Sequence, residues 1–325
     1  MRKPSYIQLY LTLRCNQNCS FCFNQIIPNR KDFKDMDIQK AFYLSGLFSA
    51  NGISEIDLLG GEPLLIPWLI RFIEPIIGNG IRVNISTNGS STEFIEQFRN
   101  FETDLLNIGF SVHGLSKTHN ALTGSDNFTR TIYGIKLLIE AGKIPHVKSI
   151  LTPENINEIF SLVDYLIEIG VRRYYIMFED TIGMDNNSHC IPFPHFWDFY
   201  HNLKKFTRGR LEIGAVVASG FLSELSNSNM RCKAGNDKLA ILPDGSVFPC
   251  NLFAGFQEFC LGNIFIDKYD KILENPIINY FRNHEKNGCI NTNCKYFISC
   301  RGGCPAHIYY YSRSFEGGDI RCKKK

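Results

Sequence analysis

Apolar and polar residues alternate in short runs along the first half of the chain, and this pattern predicts β-strands at residues 6–13, 55–59, 82–87, 105–111, 146–151 and 173–178. Helical periodicity between these runs predicts helices at residues 37–50, 67–77, 92–99, 128–141 and 156–169. Regular alternation of strands and helices predicts an α/β fold with a parallel sheet. In such folds the reactive side chains lie at the carboxyl ends of the strands.

The pattern changes after residue 183. Residues 184–229 are less regular and predict a bridging segment with one helix at 193–208. From residue 230 the chain is rich in Gly, Asn and Cys and has little periodicity. Such a segment builds little apolar core and needs metal to hold it. We therefore predict three parts: a first domain over 1–183, a bridge over 184–229 and a small α+β domain over 230–325.

Composition narrows the class of protein. The 325 residues are 44% hydrophobic, which is enough for a large core, and the net charge of +3 gives no reason to expect nucleic acid as a partner. The first residues lack the apolar region of an export signal, and no apolar run approaches the roughly 18 residues of a membrane span. We therefore expect a cytoplasmic protein that does not contact membranes.

Twelve cysteines are the unusual feature of the composition. Three precede residue 25, and none lies between Cys22 and Cys190. Six disulfides are one explanation, but a chain without an export signal folds where thiols stay reduced. Clustered thiols in that compartment indicate metal or cluster ligands.

The first cysteine group directly follows the first predicted strand. Cys15, Cys19 and Cys22 are separated by three and then two residues, so three thiolates can hold one side of a cube-shaped iron–sulfur cluster. A structural cluster takes four protein ligands, so three leave one iron with an open coordination position. Zinc or plain buried thiols are the alternatives; zinc takes four ligands, and the next histidine is His113.

This spacing, with the aromatic Phe21 before the third cysteine, resembles the radical S-adenosylmethionine (radical SAM) superfamily over residues 6 to about 180. The resemblance implies a partial (β/α)6 TIM-like barrel. It also implies that S-adenosylmethionine is bound by residues after the second, third and fourth strands, namely Gly60, Gly61, Glu62, Pro63, Ser86, Asn88 and Ser111. Many relatives carry an arginine near Leu122 for the methionine carboxylate, and this chain does not; Arg130 is a candidate substitute that the sequence does not favour, so the partner of the carboxylate is left open. His113 and His119 are interpreted as structural.

The second cysteine group comprises Cys232, Cys250, Cys289, Cys294, Cys300, Cys304 and Cys322. Residues 242–249 predict a hairpin with an Asp-Gly turn that brings the first two together. Seven thiolates exceed one site, and zinc is the alternative to iron–sulfur clusters.

The group resembles the SPASM extension of radical SAM enzymes that modify peptides, although the Cys289–Cys294 gap is four residues rather than two. The resemblance implies an inner auxiliary cluster on Cys232, Cys250 and Cys304, and an outer one on Cys289, Cys294, Cys300 and Cys322. The fourth inner position is open, or is filled by Cys260 or Cys190. The alternative interpretation is that these last two are ordinary buried residues.

The resemblance also implies a reaction. S-Adenosylmethionine is cleaved reductively to a 5′-deoxyadenosyl radical, with electrons from a donor such as flavodoxin or ferredoxin. The substrate is a ribosomally made peptide or protein, which gains a thioether or carbon–carbon crosslink or an oxidised side chain. Formylglycine formation of the sulfatase-maturase type is an alternative, but those enzymes carry an aspartate where this chain has Asn251. Small-molecule dehydrogenation and a non-catalytic zinc or iron–sulfur binding module are the others. The general base is unassigned.

Overall fold

The computed structural model describes residues 3–183, 190–218, 221, 232–282, 289–294, 297 and 302–322. Within these residues one sheet contains β1 (Tyr6–Tyr10), β2 (Glu55–Leu59), β3 (Arg82–Thr87), β4 (Leu106–Ser111), β5 (His146–Leu151), β6 (Arg173–Phe178), β7 (Glu212–Val216), β8 (Lys238–Ile241), β9 (Ser246–Phe248) and β10 (Gly262–Asn263). The strand order is β10-β9-β8-β1-β2-β3-β4-β5-β6-β7. The run from β8 through β1 to β7 is parallel.

Helices connect successive parallel strands, which confirms the α/β prediction. The helices between parallel strands are α1 (Ile38–Ala50), α2 (Leu69–Gly78), α3 (Thr92–Phe98), α4 (Ser116–Thr123), α5 (Phe128–Glu140), α6 (Ile159–Glu168) and α7 (Phe193–Thr207). Helices α8 (Tyr269–Leu273), α9 (Pro276–Arg282) and α10 (Pro305–Ser312) follow β10. The Asp37 carboxylate caps α1 by accepting the Gln39 N–H at 2.8 Å. All six predicted strands are present, but the first ends at Tyr10 instead of residue 13.

Two elements of the barrel were not predicted. Strand β7 pairs in parallel with β6, with Tyr174 opposite Ile213. Its sequence is short and contains Gly214, whose missing side chain leaves room for the Tyr175 ring. Helix α4 is predominantly polar and only eight residues long, so it has little apolar periodicity.

The cysteine-rich part of the chain extends the same sheet. Strand β8 pairs in parallel with β1 and forms the predicted hairpin with β9 through the Asp244–Gly245 turn. Gly245 has φ +93°, a conformation that favours glycine. The expected boundary at residue 183 adjoins residues 184–189, and the one at residue 229 lies within residues 222–231. Both ranges are outside the described residues, so the two boundaries stay predictions.

The two faces of the parallel strands differ in character. One face packs on the helices with fully buried apolar side chains such as Leu9, Val83 and Val147. The other face carries polar side chains, among them Asp57, Asn84 and Lys148. A barrel interior of this kind suits a polar ligand better than a packed core. No helix in the described ranges is long and apolar enough to cross a membrane.

Candidate functional site

The three cysteines of the first group lie on one loop at the carboxyl end of β1. All three thiols are free, and Cys15 is exposed to solvent. The loop is attached to the end of α4, because the Asn18 and Ser20 N–H groups each donate to α4 carbonyls at 3.0 Å. Burial and, to a smaller extent, the thiolates of Cys22 and Cys15 raise the pKa of Cys19 to about 12, so the three sulfurs lie within electrostatic reach of one another.

Gly60 and Gly61 pack against the backbone that leads into the cysteine loop. The Gly61 N–H donates to the Thr12 carbonyl at 3.0 Å, and the Glu62 N–H donates to the Arg14 carbonyl at 2.8 Å. A Cβ at Gly61 would overlap the Arg14 carbonyl oxygen, and Gly60 has φ +125°. Both positions therefore require glycine, and the predicted Gly60–Pro63 segment lies directly against the residues that precede Cys15.

Glu62 connects this segment to the end of β3. Its side chain is 2% exposed and accepts hydrogen bonds from Thr87 Oγ1 at 2.7 Å, the Asn88 N–H at 2.8 Å and the Leu64 N–H at 3.0 Å. Burial raises the pKa of Glu62 to about 7, against the effect of these three bonds. The carboxylate thus already has protein donors, and its expected contact with a cofactor amine stays a prediction.

Asn88 and Ser86 both lie at the site. The Asn88 amide donates to Asn16 Oδ1 at 2.8 Å, which connects it to the cysteine loop. Ser86 accepts a hydrogen bond from Lys148 Nζ at 2.9 Å, and Lys148 is paired in register with Ser111. The sequence prediction did not include Lys148. The signal was its position among alternating buried and partly exposed residues of β5.

His113 and His119 are both buried, and their interpretation as structural residues stays a prediction. The Nδ1 atom of each accepts a backbone N–H at 3.2 Å, from Ile150 and His113 respectively. Burial lowers the pKa of His113 to about 3 and that of His119 to about 4, so both rings are neutral. The Phe21 ring packs on His113 at 4.5 Å and attaches the cysteine loop to β4.

Three cysteines of the second group lie together beside the barrel. Burial raises the pKa of Cys250 to about 11, and the Cys232 thiolate contributes to this rise and to that of Cys304. Cys250 and Cys304 are 4% and 6% exposed. The assignment of these three cysteines to an inner cluster stays a prediction.

The outer set is described in part. Cys289 lies against Gly318, and the Cys322 N–H donates to the Asp319 carbonyl at 3.0 Å. Cys294 is partly buried, and Cys300 lies outside the described residues. Of the two candidates for a fourth inner ligand, Cys260 donates to the Gly262 carbonyl at 3.5 Å and Cys190 is 7% exposed. Both assignments stay predictions.

Tyr10 lies between the two cysteine groups. It is fully buried at the end of β1. Burial raises its pKa, the Asn251 side chain opposes that rise, and the thiolates of Cys250 and Cys22 add to it. Both groups are therefore within electrostatic reach of one phenol. The sequence prediction did not single out Tyr10, because a tyrosine at the end of a strand is an ordinary core residue.

Arg321 attaches the last described turn to the barrel. It is 1% exposed and donates to Asp319 Oδ2 at 2.8 Å, to Asp180 Oδ1 at 3.1 Å and to the Glu179 carbonyl at 2.8 Å. His307 accepts the Thr181 N–H at 3.1 Å next to it. These bonds connect the segment that carries Cys304 and Cys322 to the carboxyl end of β6.

The donors of the first group fit an iron–sulfur cluster. Three free thiols on one loop are soft ligands of the kind that binds iron–sulfur clusters. Arg30 Nη1 lies 3.8 Å from Cys22 Sγ, so a cation accompanies the negative charge that bound thiolates would carry. The Gln17 side-chain nitrogen is buried without an acceptor among the described residues, and its oxygen lies 3.6 Å from Cys19 Sγ. Such a nitrogen suits an acceptor at the position of a cluster.

Known families match both parts of the chain. The Radical SAM superfamily matches residues 9–166, and the SPASM iron–sulfur cluster-binding domain matches residues 232–305. Among curated relatives, the antilisterial bacteriocin subtilosin biosynthesis protein AlbA of Bacillus subtilis is 24% identical over 321 residues. That alignment covers 93% of this chain and 67% of AlbA.

Solved structures share the fold. Streptococcus suis SuiB bound to its precursor peptide SuiA has a TM-score of 0.82 at 19% identity, covering 99% of this chain and 76% of SuiB. Native anSMEcpe with bound AdoMet and the Cp18Cys peptide has a TM-score of 0.75 at 18% identity, covering 98% of this chain and 94% of that one. These similarities confirm the predicted barrel with a cysteine-rich C-terminal part.

Proposed function

Because this chain is a radical SAM enzyme with a C-terminal SPASM domain, we propose that it oxidatively modifies a ribosomally made peptide or protein. Its cofactors are S-adenosylmethionine and [4Fe–4S] clusters, one for the radical SAM domain and auxiliary ones for the SPASM domain. When bound, the first cluster and S-adenosylmethionine supply a 5′-deoxyadenosyl radical. Cys15, Cys19 and Cys22 are the proposed ligands of that cluster.

The arrangement around Tyr10 carries this proposal. A net oxidation removes a hydrogen atom and a further electron from the substrate, so the site of radical formation and an electron acceptor must be close. The thiols of Cys22 and Cys250 both raise the pKa of Tyr10, so one cysteine of each group lies within electrostatic reach of the same phenol. AlbA and SuiB support a peptide substrate, because one belongs to bacteriocin biosynthesis and the other binds a precursor peptide.

We favour a crosslink, or a side-chain oxidation other than formylglycine formation. Asn251 follows Cys250, and its backbone N–H donates to Gln8 Oε1 at 3.0 Å while its side chain faces Tyr10. An amide in this place does not accept a proton as a carboxylate does. Small-molecule dehydrogenation and a non-catalytic zinc or cluster-binding module stay as lower-ranked candidates.

Anaerobic reconstitution tests the proposal. The wild-type protein is expected to bind about twelve irons per chain, for three four-iron clusters, and to form 5′-deoxyadenosine with dithionite and S-adenosylmethionine. Replacing Cys15, Cys19 and Cys22 by alanine should remove about four irons and all 5′-deoxyadenosine, while the auxiliary iron stays. A peptide encoded beside the gene should lose two hydrogens on coexpression. Wild-type protein with full iron and no 5′-deoxyadenosine would contradict the radical chemistry; 5′-deoxyadenosine without a changed peptide would contradict that peptide as substrate.

A further inference from the structure

Lys148 places a cation inside the barrel. Residues 146–151 of β5 alternate between partly exposed and buried, and Lys148 belongs to the partly exposed set that faces the interior. It is paired in register with Ser111 at the end of β4, and its Nζ atom donates to Ser86 Oγ on β3 at 2.9 Å. The lysine therefore spans β4: its backbone lies opposite Ser111 and its ammonium ends beside Ser86, and both serines are predicted cofactor-binding residues.

Gly109 makes room for this conformation. It lies on β4 between Ser86 and the β5 residues, paired with Ser86 on one side and with His146 on the other. A Cβ at Gly109 would overlap His146 Nε2 and would lie 2.8 Å from Lys148 Cε. A side chain on β4 would thus push the lysine away from Ser86. The position of the ammonium is determined by three neighbouring strands.

The surroundings of the ammonium combine burial with one nearby carboxylate, that of Asp57. Burial lowers the pKa of Lys148, and Asp57 acts against that effect. The Asp57 carboxylate also accepts hydrogen bonds from Tyr6 and from Asn84 Nδ2, the latter at 2.7 Å. An ammonium has three N–H donors, of which Ser86 takes one. A partly buried cation of this kind is stabilised most by a directly bonded anion.

The other cations around the barrel mouth are placed differently. Arg14 forms an ion pair with Asp35, and its side chain is 54% exposed. Arg130, the candidate that the sequence offers but does not favour, is exposed on α5 in the helical layer. Arg30 contacts Cys22 Sγ. Among these residues, Lys148 is the one bonded to the Ser86 hydroxyl inside the barrel.

We propose that Lys148 binds the carboxylate of the methionine part of S-adenosylmethionine, in place of the arginine that many relatives carry near position 122. Ser86 is the positioning residue, because its oxygen holds the ammonium over Gly109. The proposal rests on the cofactor and not on the peptide substrate, so it can fail while the proposed function stands.

Comparing S-adenosylmethionine with its decarboxylated analogue tests this assignment. Equilibrium dialysis would measure both affinities for the reconstituted protein and for the iron-free protein, because iron also binds the carboxylate. Lys148→Met should weaken S-adenosylmethionine about tenfold to a hundredfold and leave the analogue unchanged. Lys148→Arg should retain a preference for the carboxylate. Lys143→Gln, at a lysine that donates to the Phe101 carbonyl near the opposite edge, is the matched control.

Two outcomes would overturn the proposal. One is that Lys148→Met weakens both ligands by the same factor, which would place the lysine at the adenosine part. The other is that neither affinity changes. Loss of folding is not expected, since methionine removes a buried charge and keeps the length of the side chain. Lys148→Gln gives a second test of the same ratio with a polar side chain.

Discussion

The buried carboxyl of Glu62 connects two segments of the site, and it makes the stability of the folded protein depend on pH. Burial raises its pKa to about 7 from an ordinary value of 4.5, so the folded protein keeps the proton to higher pH than the unfolded chain does. The stability that this proton contributes is full below about pH 4.5 and is lost as the pH rises through 7. The difference in free energy of unfolding between the wild type and Glu62→Gln should therefore become smaller as the pH rises from about 5 to about 8.

Urea denaturation of both proteins at several pH values measures that difference. Glu93→Gln, at an exposed glutamate in the first turn of α3, shows how much of the trend comes from net charge alone. A difference that grows with pH would contradict the assigned direction.

Gly61 is the second residue with a sharp prediction. Gly61→Ala would place a methyl group on the Arg14 carbonyl oxygen, so the loop that carries Cys15 must move. We expect a melting temperature several degrees lower and loss of iron from the first cluster. Gly46→Ala is the control, because nothing lies within 4 Å of a Cβ there and alanine favours α1 by about 0.5–1 kcal/mol. Equal melting temperatures and iron contents for the two variants would show that the loop tolerates the shift.

Glu62 and Gly61 were predicted from the sequence, and Lys148 was not. The cysteine spacing, the Gly60–Pro63 segment and Ser86 are local patterns that follow strands, and the ends of parallel strands share one edge. Lys148 lies within a strand. A lysine there is normally an outward-facing residue, and only the curvature of the sheet makes that face an interior.

At the scale of elements, the cysteine loop depends on neighbours that sequence patterns did not show. Its backbone is bonded to α4, which is too short and polar for its periodicity to be seen. The second group depends similarly on the turn that carries Arg321 and Asp319. Both side chains of this pair are almost fully buried, so each relies on the other for its charge.

Replacing Arg321 should therefore release that turn from the barrel. Arg321→Met leaves the Asp319 carboxylate buried without its partner, and we expect a loss of about 3–5 kcal/mol in the free energy of unfolding. Arg173→Met is the control, because its ion pair with Glu212 is 44% and 65% exposed and should contribute less than about 1 kcal/mol.

Denaturant titration gives both values. Asp319→Asn combined with Arg321→Met should recover part of the loss, since it removes the unpaired charge. If Arg321→Met costs no more than the control, the turn does not depend on this pair.

At the scale of the whole molecule, the two predicted domains share one sheet and part of their buried core. Strand β8 pairs with β1 over four residues, and the Ser5 and Tyr6 N–H groups donate to the Asp237 carbonyl. Leu239, Ile241 and Val247 belong to the same buried cluster as Ile7 and Leu9. Periodicity did not predict this, because a four-residue strand surrounded by glycine and cysteine gives no signal of its own, and its partner lies more than two hundred residues earlier.

A fragment ending at residue 218 therefore should not fold by itself. It would expose the edge of β1 and part of the shared core, and exposed edges of this kind pair with other chains. We expect aggregates in gel filtration and no cooperative thermal transition. A fragment ending at residue 282 keeps β8, β9 and β10 and should stay monomeric, although it lacks Cys289 and the later cysteines. If the shorter fragment is monomeric and melts cooperatively, the barrel is a separate domain and the SPASM part only covers it. If both fragments aggregate, the whole fold needs Cys289, the later cysteines and the iron that they bind.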